Sequence, residues 1–432
     1  VEERLPENPK VLQPAESIGV YGGNMRRLTK PSADGAHFTR TVLYESLVTW
    51  TPDWAGIQPD IAEAFEVSDD ASTFTFHLRK GMKWSDGEPY TSADIKFWWE
   101  DIIMNDELTA AKPGWLKING ELPAVTFPDD YTIVFQWKTA NGLFLSRLAT
   151  PDGLEMVRIP AHWAKQFHTS YGDKAEIEKL QKEGQYETWR DFFNYKVTGD
   201  AIVREVGRPT VNPWYVVDPY VGGATQLSFA RNPYYFKVDT EGQQLPYMNN
   251  VTFRVVDSVD AMVPMALNGE VDMQDRHIAT DPNKPLFVDN MAKGDYRFYT
   301  TFSGSLNRMS IMFNLNTPDP VKNEIFNNRD FRIGLSYAIN RQEIIDTVYV
   351  GIGEPWQTAA LPNSPFYDEE LAKQYTEYSV EKANEYLDKA GYMKDASGKR
   401  LGPDGKPISF VMEVVDTTPA WIDMLNMIVK YW

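Results

Sequence analysis

Residues 73–87 run Thr73-Phe74-Thr75-Phe76-His77-Leu78-Arg79-Lys80-Gly81-Met82-Lys83-Trp84-Ser85-Asp86-Gly87. Phe74, Phe76 and Leu78 alternate with Thr75, His77 and Arg79, the period-two pattern of a strand with one face buried and one face wet. His77 falls on the wet face, which places it among solvated side chains and not among metal ligands. Ser85-Asp86-Gly87 supplies a turn. Thr91 then caps a helix, with Asp94 three residues on in the reciprocal position of a capping box and Tyr90 set to staple onto Ile95. Ile95, Trp98, Trp99, Ile102 and Ile103 follow helical spacing, so both tryptophans belong to a core. Tyr131 to Lys138 alternates again and pairs with the first strand.

Working outward, Ser17 to Met25 reads as a short strand with a glycine break. A helical run follows the loop Lys30–Ala36, with Leu43, Leu47 and Val48 on one side. Asp173 to Phe193 is charged and helical, a surface excursion. Val251 to Val256 is a strand entering a new region, and the helix after it ends at Asn268-Gly269 with Pro264 kinking it. Ile311 to Leu315 is a further strand. Phe331 to Ile339 is helical, and Asn340 with Glu343 caps the next helix. Ser379 caps a helix striped by Ala383, Leu387 and Ala390 and stopped by Gly391. Turns at Ser397-Gly398 and Asp404-Gly405 lead into a strand from Ile408 to Val415. Trp421, Met424, Leu425, Ile428, Val429 and Trp432 form a stripe still in phase at the last residue, so the natural protein is expected to continue beyond Trp432.

The composition excludes several classes. A net charge of -18 makes nucleic acid and anionic membrane surfaces poor partners, since both are bound through Lys and Arg clusters. The absence of cysteine removes disulfides, thiolate catalysis and Cys-ligated metals. No apolar run is long enough to span a bilayer. Val1-Glu2-Glu3-Arg4 has neither a basic nor an apolar leader region, so any signal peptide is expected to have been removed. There is no HExxH, no GxSxG and no phosphate-loop lysine motif. His37, His77, His162, His168 and His277 show no metal-ligand spacing. The acidic pairs Asp69-Asp70, Asp129-Asp130 and Glu369-Glu370 sit in turns and read as solvated. No cofactor or metal is implied.

Pro59-Asp60-Ile61-Ala62-Glu63-Ala64-Phe65-Glu66-Val67-Ser68-Asp69-Asp70, Thr75 to Gly87 and Thr91-Ser92-Ala93-Asp94-Ile95, in that order, resemble the signature block of the family 5 bacterial solute-binding proteins. Arg231-Asn232-Pro233-Tyr234-Tyr235, Asn268-Gly269-Glu270-Val271-Asp272, Phe331-Arg332 with Ala338-Ile339-Asn340-Arg341, and Ala390-Gly391-Tyr392 resemble later segments of the same family. The resemblance implies a two-lobed α/β fold of the periplasmic-binding-protein type (type II, cluster C), with an α+β subdomain inserted in lobe one. On that pattern residues 1–40 and 151–255 form lobe one, 41–150 its insertion, and 256–432 an incomplete lobe two. It further implies a monomeric, extracytoplasmic protein that closes on its ligand and delivers it to the permease of an ABC importer.

The abundance of aromatics, 13% of residues with 13 Trp, points to an oligosaccharide, since sugar faces pack on indole rings. An oligopeptide is the alternative, with an opine or other small solute behind it. A glycosidase and a receptor-binding sensor partner are the remaining classes. Positions matching cleft-facing family segments give the candidate contacts: Asp34, His37 and Phe38 in the loop before the first helix, Trp115 after Pro113-Gly114, Asn212 and Trp214 around a proline turn, and Trp356 with Gln357. Trp115 and Trp214 are expected in loop or turn positions, free to stack on ligand.

Overall fold

In the computed structural model, the described residues are 4–31, 34–299, 307–362, 364, 366–415 and 418–432. The chain divides into two compact units, Val1–Ile278 and Ala279–Trp432. The strands of the first unit are β1 (Lys10–Leu12), β2 (Asn24–Thr29), β3 (Val48–Trp50), β4 (Ile57–Pro59), β5 (Ala62–Val67), β6 (Thr73–Leu78), β7 (Ala124–Asp129), β8 (Thr132–Gln136), β9 (Trp214–Asp218), β10 (Gln226–Arg231), β11 (Lys237–Asp239) and β12 (Asn250–Val255).

The expected period-two strand is β6, and its residues alternate between half-buried and buried. It pairs antiparallel with β8, with Phe74 opposite Phe135 and Phe76 opposite Ile133, inside a sheet ordered β5-β6-β8-β7. Thr91 caps the following helix Ser92–Phe97 through a full capping box with Asp94. The helix then widens into a π-type stretch, Trp98–Ile103, yet Trp98, Trp99, Ile102 and Ile103 are all buried against the sheet's core. That core does not stop at residue 150. It takes Trp189, Phe192, Phe193 and Val197 as well, so the charged stretch expected to lie on the surface is two helices, Lys174–Glu183 and Trp189–Val197, the second of them half core.

A second sheet, ordered β2-β12-β10-β9, carries the other core of this unit. Its β2 pairs parallel with β12, Met25 opposite Val251 and Arg27 opposite Phe253. The strand expected over Ser17–Met25 is displaced towards the C-terminus: the ladder begins at Asn24. Gly22 and Gly23 precede it at φ 124° and 75°, backbone angles that end a strand rather than continue one. Val251–Val256 opens no new region, because β12 lies in the middle of this sheet and residues 256–278 remain in the first unit.

A buried ionic network ties β1 and β11, which pair parallel, to Glu45 and Asp60, which flank β3 and β4. Lys10 Nζ and Lys237 Nζ each lie 2.8 Å from Asp60 Oδ1, and Lys237 Nζ lies 2.7 Å from Glu45 Oε2. The Tyr235 hydroxyl donates to Glu45 Oε1 at 2.6 Å, and Arg79 donates to the Asp60 carbonyl at 2.9 Å. Burial opposes the Asp60 charge, but Lys237 and Lys10 outweigh it and hold its carboxyl well below the usual range. Burial pushes the Glu45 carboxyl the other way, upward.

The second unit is helical where elements are formed: Lys284–Gly294, Pro320–Asn327, Arg329–Tyr337, Arg341–Val348, Glu369–Lys373, Val380–Lys389 and Pro419–Tyr431. Asn340 accepts from the Glu343 amide and Ser379 from the Lys382 amide, the caps expected from sequence. The strands expected at Ile311–Leu315 and Ile408–Val415 do not form a ladder among the described residues, although burial alternates from Met309 to Asn314. Alternation reports a face, while a strand also needs a neighbour to receive its hydrogen bonds.

Candidate functional site

β2 is an edge strand with an unusual sequence, Asn24-Met25-Arg26-Arg27-Leu28-Thr29. Its partners come from Asp272–His277, about 246 residues later, which runs beside it as a strap. The Asp272 amide donates to the Arg26 carbonyl at 3.0 Å, and its carboxylate receives the Arg26 amide at 2.7 Å and guanidinium at 2.6 and 2.9 Å. Gln274 stands in for a peptide unit: Oε1 accepts from the Leu28 amide at 3.0 Å and Nε2 donates to the Leu28 carbonyl at 3.1 Å. Arg27 is buried. It donates to the Met273 carbonyl at 3.1 Å and to Thr41 Oγ1 at 2.5 Å, and pairs closely with Asp275.

Two expected site residues, Asp34 and His37, meet the end of this strap, and a third, Phe38, follows them in the helix Gly35–Val42. Asp34 is fully buried and receives Thr29 Oγ1 at 3.0 Å, the Lys30 amide at 2.8 Å, Arg276 Nη2 at 2.9 Å and His277 Nε2 at 2.8 Å. Burial works against its carboxylate, yet the Lys30 amide, His277 and Arg276 prevail and hold its pKa down at about 2. His37 is buried edge-on to Phe253, 5.3 Å between ring centres, with Nδ1 3.8 Å from Asp275 and Nε2 without a partner among the described residues. Burial first, then the Arg27 guanidinium, push its pKa down to about 4. Phe38 packs between Phe253 and Tyr220 at 5.0 and 5.3 Å. All three face the protein's own groups.

Of the other first-unit candidates, Trp115 packs in the core of the first sheet, whereas Trp214 shares the core of the second sheet with Phe38. Trp115 sits in the short turn Gly114–Leu116, half-buried and stacked on Phe144 at 6.2 Å and 15°. Trp214 is not in a turn: it begins β9, is buried, and donates from Nε1 to the Met248 carbonyl at 3.2 Å. Asn212 is buried and donates to Thr210 Oγ1 at 2.8 Å. The contacts of Trp115 and Trp214 are those of packing residues.

Trp356 and Gln357 belong to the second unit and line a cavity of about 500 Å³ together with Asn307, Ser310 and Thr358. Trp356 stacks on Tyr367 at 6.0 Å and 16°, and Lys373 Nζ stands 4.2 Å above its ring. The indole N–H of Trp356 and the Asn307 side-chain oxygen are buried here without partners among the described residues. Gln357 is tied back to Ser336 Oγ at 3.1 Å and the Gln374 carbonyl at 2.8 Å. Arg308, Arg332 and Arg341 also line the cavity. Arg341 donates to the carbonyl and hydroxyl of Ser336 at 2.9 and 2.8 Å, and burial lowers its pKa to about 10. These arginines and the strap residues were not among the sequence candidates. Arg332 and Arg341 stood inside a recognised motif, but nothing in their spacing marks a cavity. Among the described residues no group of His, Asp or Glu has the arrangement of a metal site, and no helix is long and apolar enough to cross a membrane.

The periplasmic alpha-galactoside-binding protein of Rhizobium meliloti is 25% identical over 92% of this chain and 58% of its own length. The nickel-binding periplasmic protein of Escherichia coli is 24% identical over 88% of this chain and 62% of its own. The chain thus spans about three fifths of the length of these curated relatives. A solved oligopeptide-binding protein OppA superposes with a TM-score of 0.71 at 37% identity, covering 100% of this chain and 67% of that one. The periplasmic binding protein MelB of Agrobacterium fabrum, solved with stachyose, superposes with a TM-score of 0.70 at 22% identity over 100% of this chain and 66% of its own, a likeness of fold. These likenesses give the two-lobed type II binding-protein fold. The model of the family 5 bacterial extracellular solute-binding proteins matches residues 56–432, and the chain belongs to that family.

Proposed function

We propose that this protein captures an oligosaccharide outside the cytoplasmic membrane, in the periplasm, by hinge closure, and as a monomer hands it to the permease of an ABC importer. The observation that carries the ligand class is the second-unit cavity. Beside the arginines it offers an indole N–H and an amide oxygen that are buried without a partner among the described residues, with hydroxyl and amide side chains around them. Hydroxyl-rich, uncharged ligands satisfy such groups, and a sugar face packs on the ring. The alpha-galactoside-binding relative supports the same class. Closure follows from differential affinity, because a ligand favours the closed form only as far as it binds that form better.

An oligopeptide is the second reading, and the 37% identity to a solved oligopeptide-binding protein favours it. Calorimetric titration with an alpha-galactoside series beside a mixed peptide library separates the two. Saccharide binding at micromolar strength, about -8 kcal/mol, with recovery of the intact sugar, is the expected result. Binding of peptides alone refutes the saccharide reading, and turnover of either ligand refutes capture.

A further inference from the structure

The strap Asp272–His277 ends one residue before Ile278, and the chain enters its second unit at Ala279. It is held on β2 mostly by side chains, and its last two residues share one anchor. Asp34 already has two donors from its own loop, Thr29 Oγ1 and the Lys30 amide. Arg276 and His277 supply further donors from the strap to the same carboxylate. A buried carboxylate with four donors is strongly fixed, and it fixes in turn whatever donates to it. His277 stands at φ 69°, a conformation that non-glycine residues hold only when their surroundings impose it.

We propose that Asp34 is a positioning residue of a hinge latch: through Arg276 and His277 it pins the strap to β2, and the pinned strap sets ligand affinity without touching ligand. The affinity part rests on the solute-capture reading. Its logic is that of a binding-competent population. If only some molecules keep the strap pinned, apparent affinity falls by that fraction.

Hydrogen exchange of the whole protein, read on peptides covering 270–279, tests the latch independently of any ligand. Asp34→Asn and His277→Leu are expected to speed exchange there by about tenfold, the factor carried by one charge-assisted bond, while β10 and β12 peptides stay as in the wild type. His277→Gln, which keeps a side-chain N–H donor, is expected within about twofold of the wild type. Titration with raffinose should show affinity falling by a similar factor in the two loosened variants and recovering in His277→Gln. Unchanged strap exchange in both Asp34→Asn and His277→Leu overturns the latch. Faster exchange with unaltered affinity overturns the claim on ligand capture. If Asp34→Asn does not fold, the two His277 variants decide. If the wild type takes up neither raffinose nor peptides, the capture reading fails by itself and exchange alone decides whether the strap is pinned.

Discussion

Replacing Asp60 with asparagine keeps the shape of the side chain and removes the charge at the centre of the buried network. Its Oδ1 sits 2.8 Å from two ammonium groups and the side chain is 1% exposed. Each charge-assisted hydrogen bond contributes about 1.5–3 kcal/mol, and leaving buried charges without their partner costs about 3–5 kcal/mol. The two routes agree on a loss of about 4 kcal/mol for the first unit. Glu45→Gln should behave differently. Burial already favours the neutral form of that carboxyl, and an amide can still accept from the Tyr235 hydroxyl, so the expected loss is about 1 kcal/mol or less. Glu121→Gln removes an exposed pair with Lys138, 2.8 Å apart, and should cost at most about 1 kcal/mol. Urea unfolding at pH 7, followed by tryptophan fluorescence with midpoint and slope both fitted, measures all three. A loss below 1 kcal/mol in Asp60→Asn, or equal losses in Asp60→Asn and Glu45→Gln, refutes a network centred on Asp60.

Trp98→Ala should lower stability by about 3–5 kcal/mol as a core truncation, and Trp214→Ala by a similar amount because its ring is buried and its N–H bonded; calorimetric melting checks both, and an unshifted melt for Trp214→Ala would return that residue to the ligand site. Trp356→Ala should weaken saccharide binding by about 1–3 kcal/mol with the melting temperature unchanged, read by titration. His37 has a folded pKa of about 4 against an ordinary 6.5, so the unfolded chain binds the extra proton between those values. The stability it contributes is complete above pH 6.5 and is lost as pH falls towards 4. Asp34, at about 2 against 3.8, loses its contribution in the same direction lower down. His37→Gln should therefore flatten the stability curve between pH 6.5 and 4 in urea titrations, and an unaltered slope contradicts the assignment.

What could be read from the sequence was what local chemistry decides. The Phe74-Phe76-Leu78 alternation and the Thr91–Asp94 box lie within a few residues of their own causes, and both are present. β2 was misread by several residues because Arg26 and Arg27 break the apolar pattern of a strand. Their partners, Asp272 and Asp275, lie some 246 residues away, and no local pattern announces them. The same distance hid the role of Asp34: a polar residue in a loop is legible, its pairing with Arg276 and His277 is not. Trp214 looked free beside Pro213, but the β9–β10 register opposite Arg231 draws it into the core. Trp356 lines a cavity, but of the arginines around it Arg332 and Arg341 were visible only as family motif and Arg308 not at all, because a cavity is a property of packing and not of spacing.

The strap also has a consequence for how the molecule meets its own kind. An open strand edge offers unpaired amides and carbonyls to any other chain, and proteins blunt such edges to stay soluble. Along β2 the blunting is done by Asp272 and by the carboxamide of Gln274, groups that can leave one at a time. A molecule whose strap has lifted therefore presents the Arg26 and Leu28 backbone as a template for strand addition. The positive charge of the two arginines then remains as the guard against self-association.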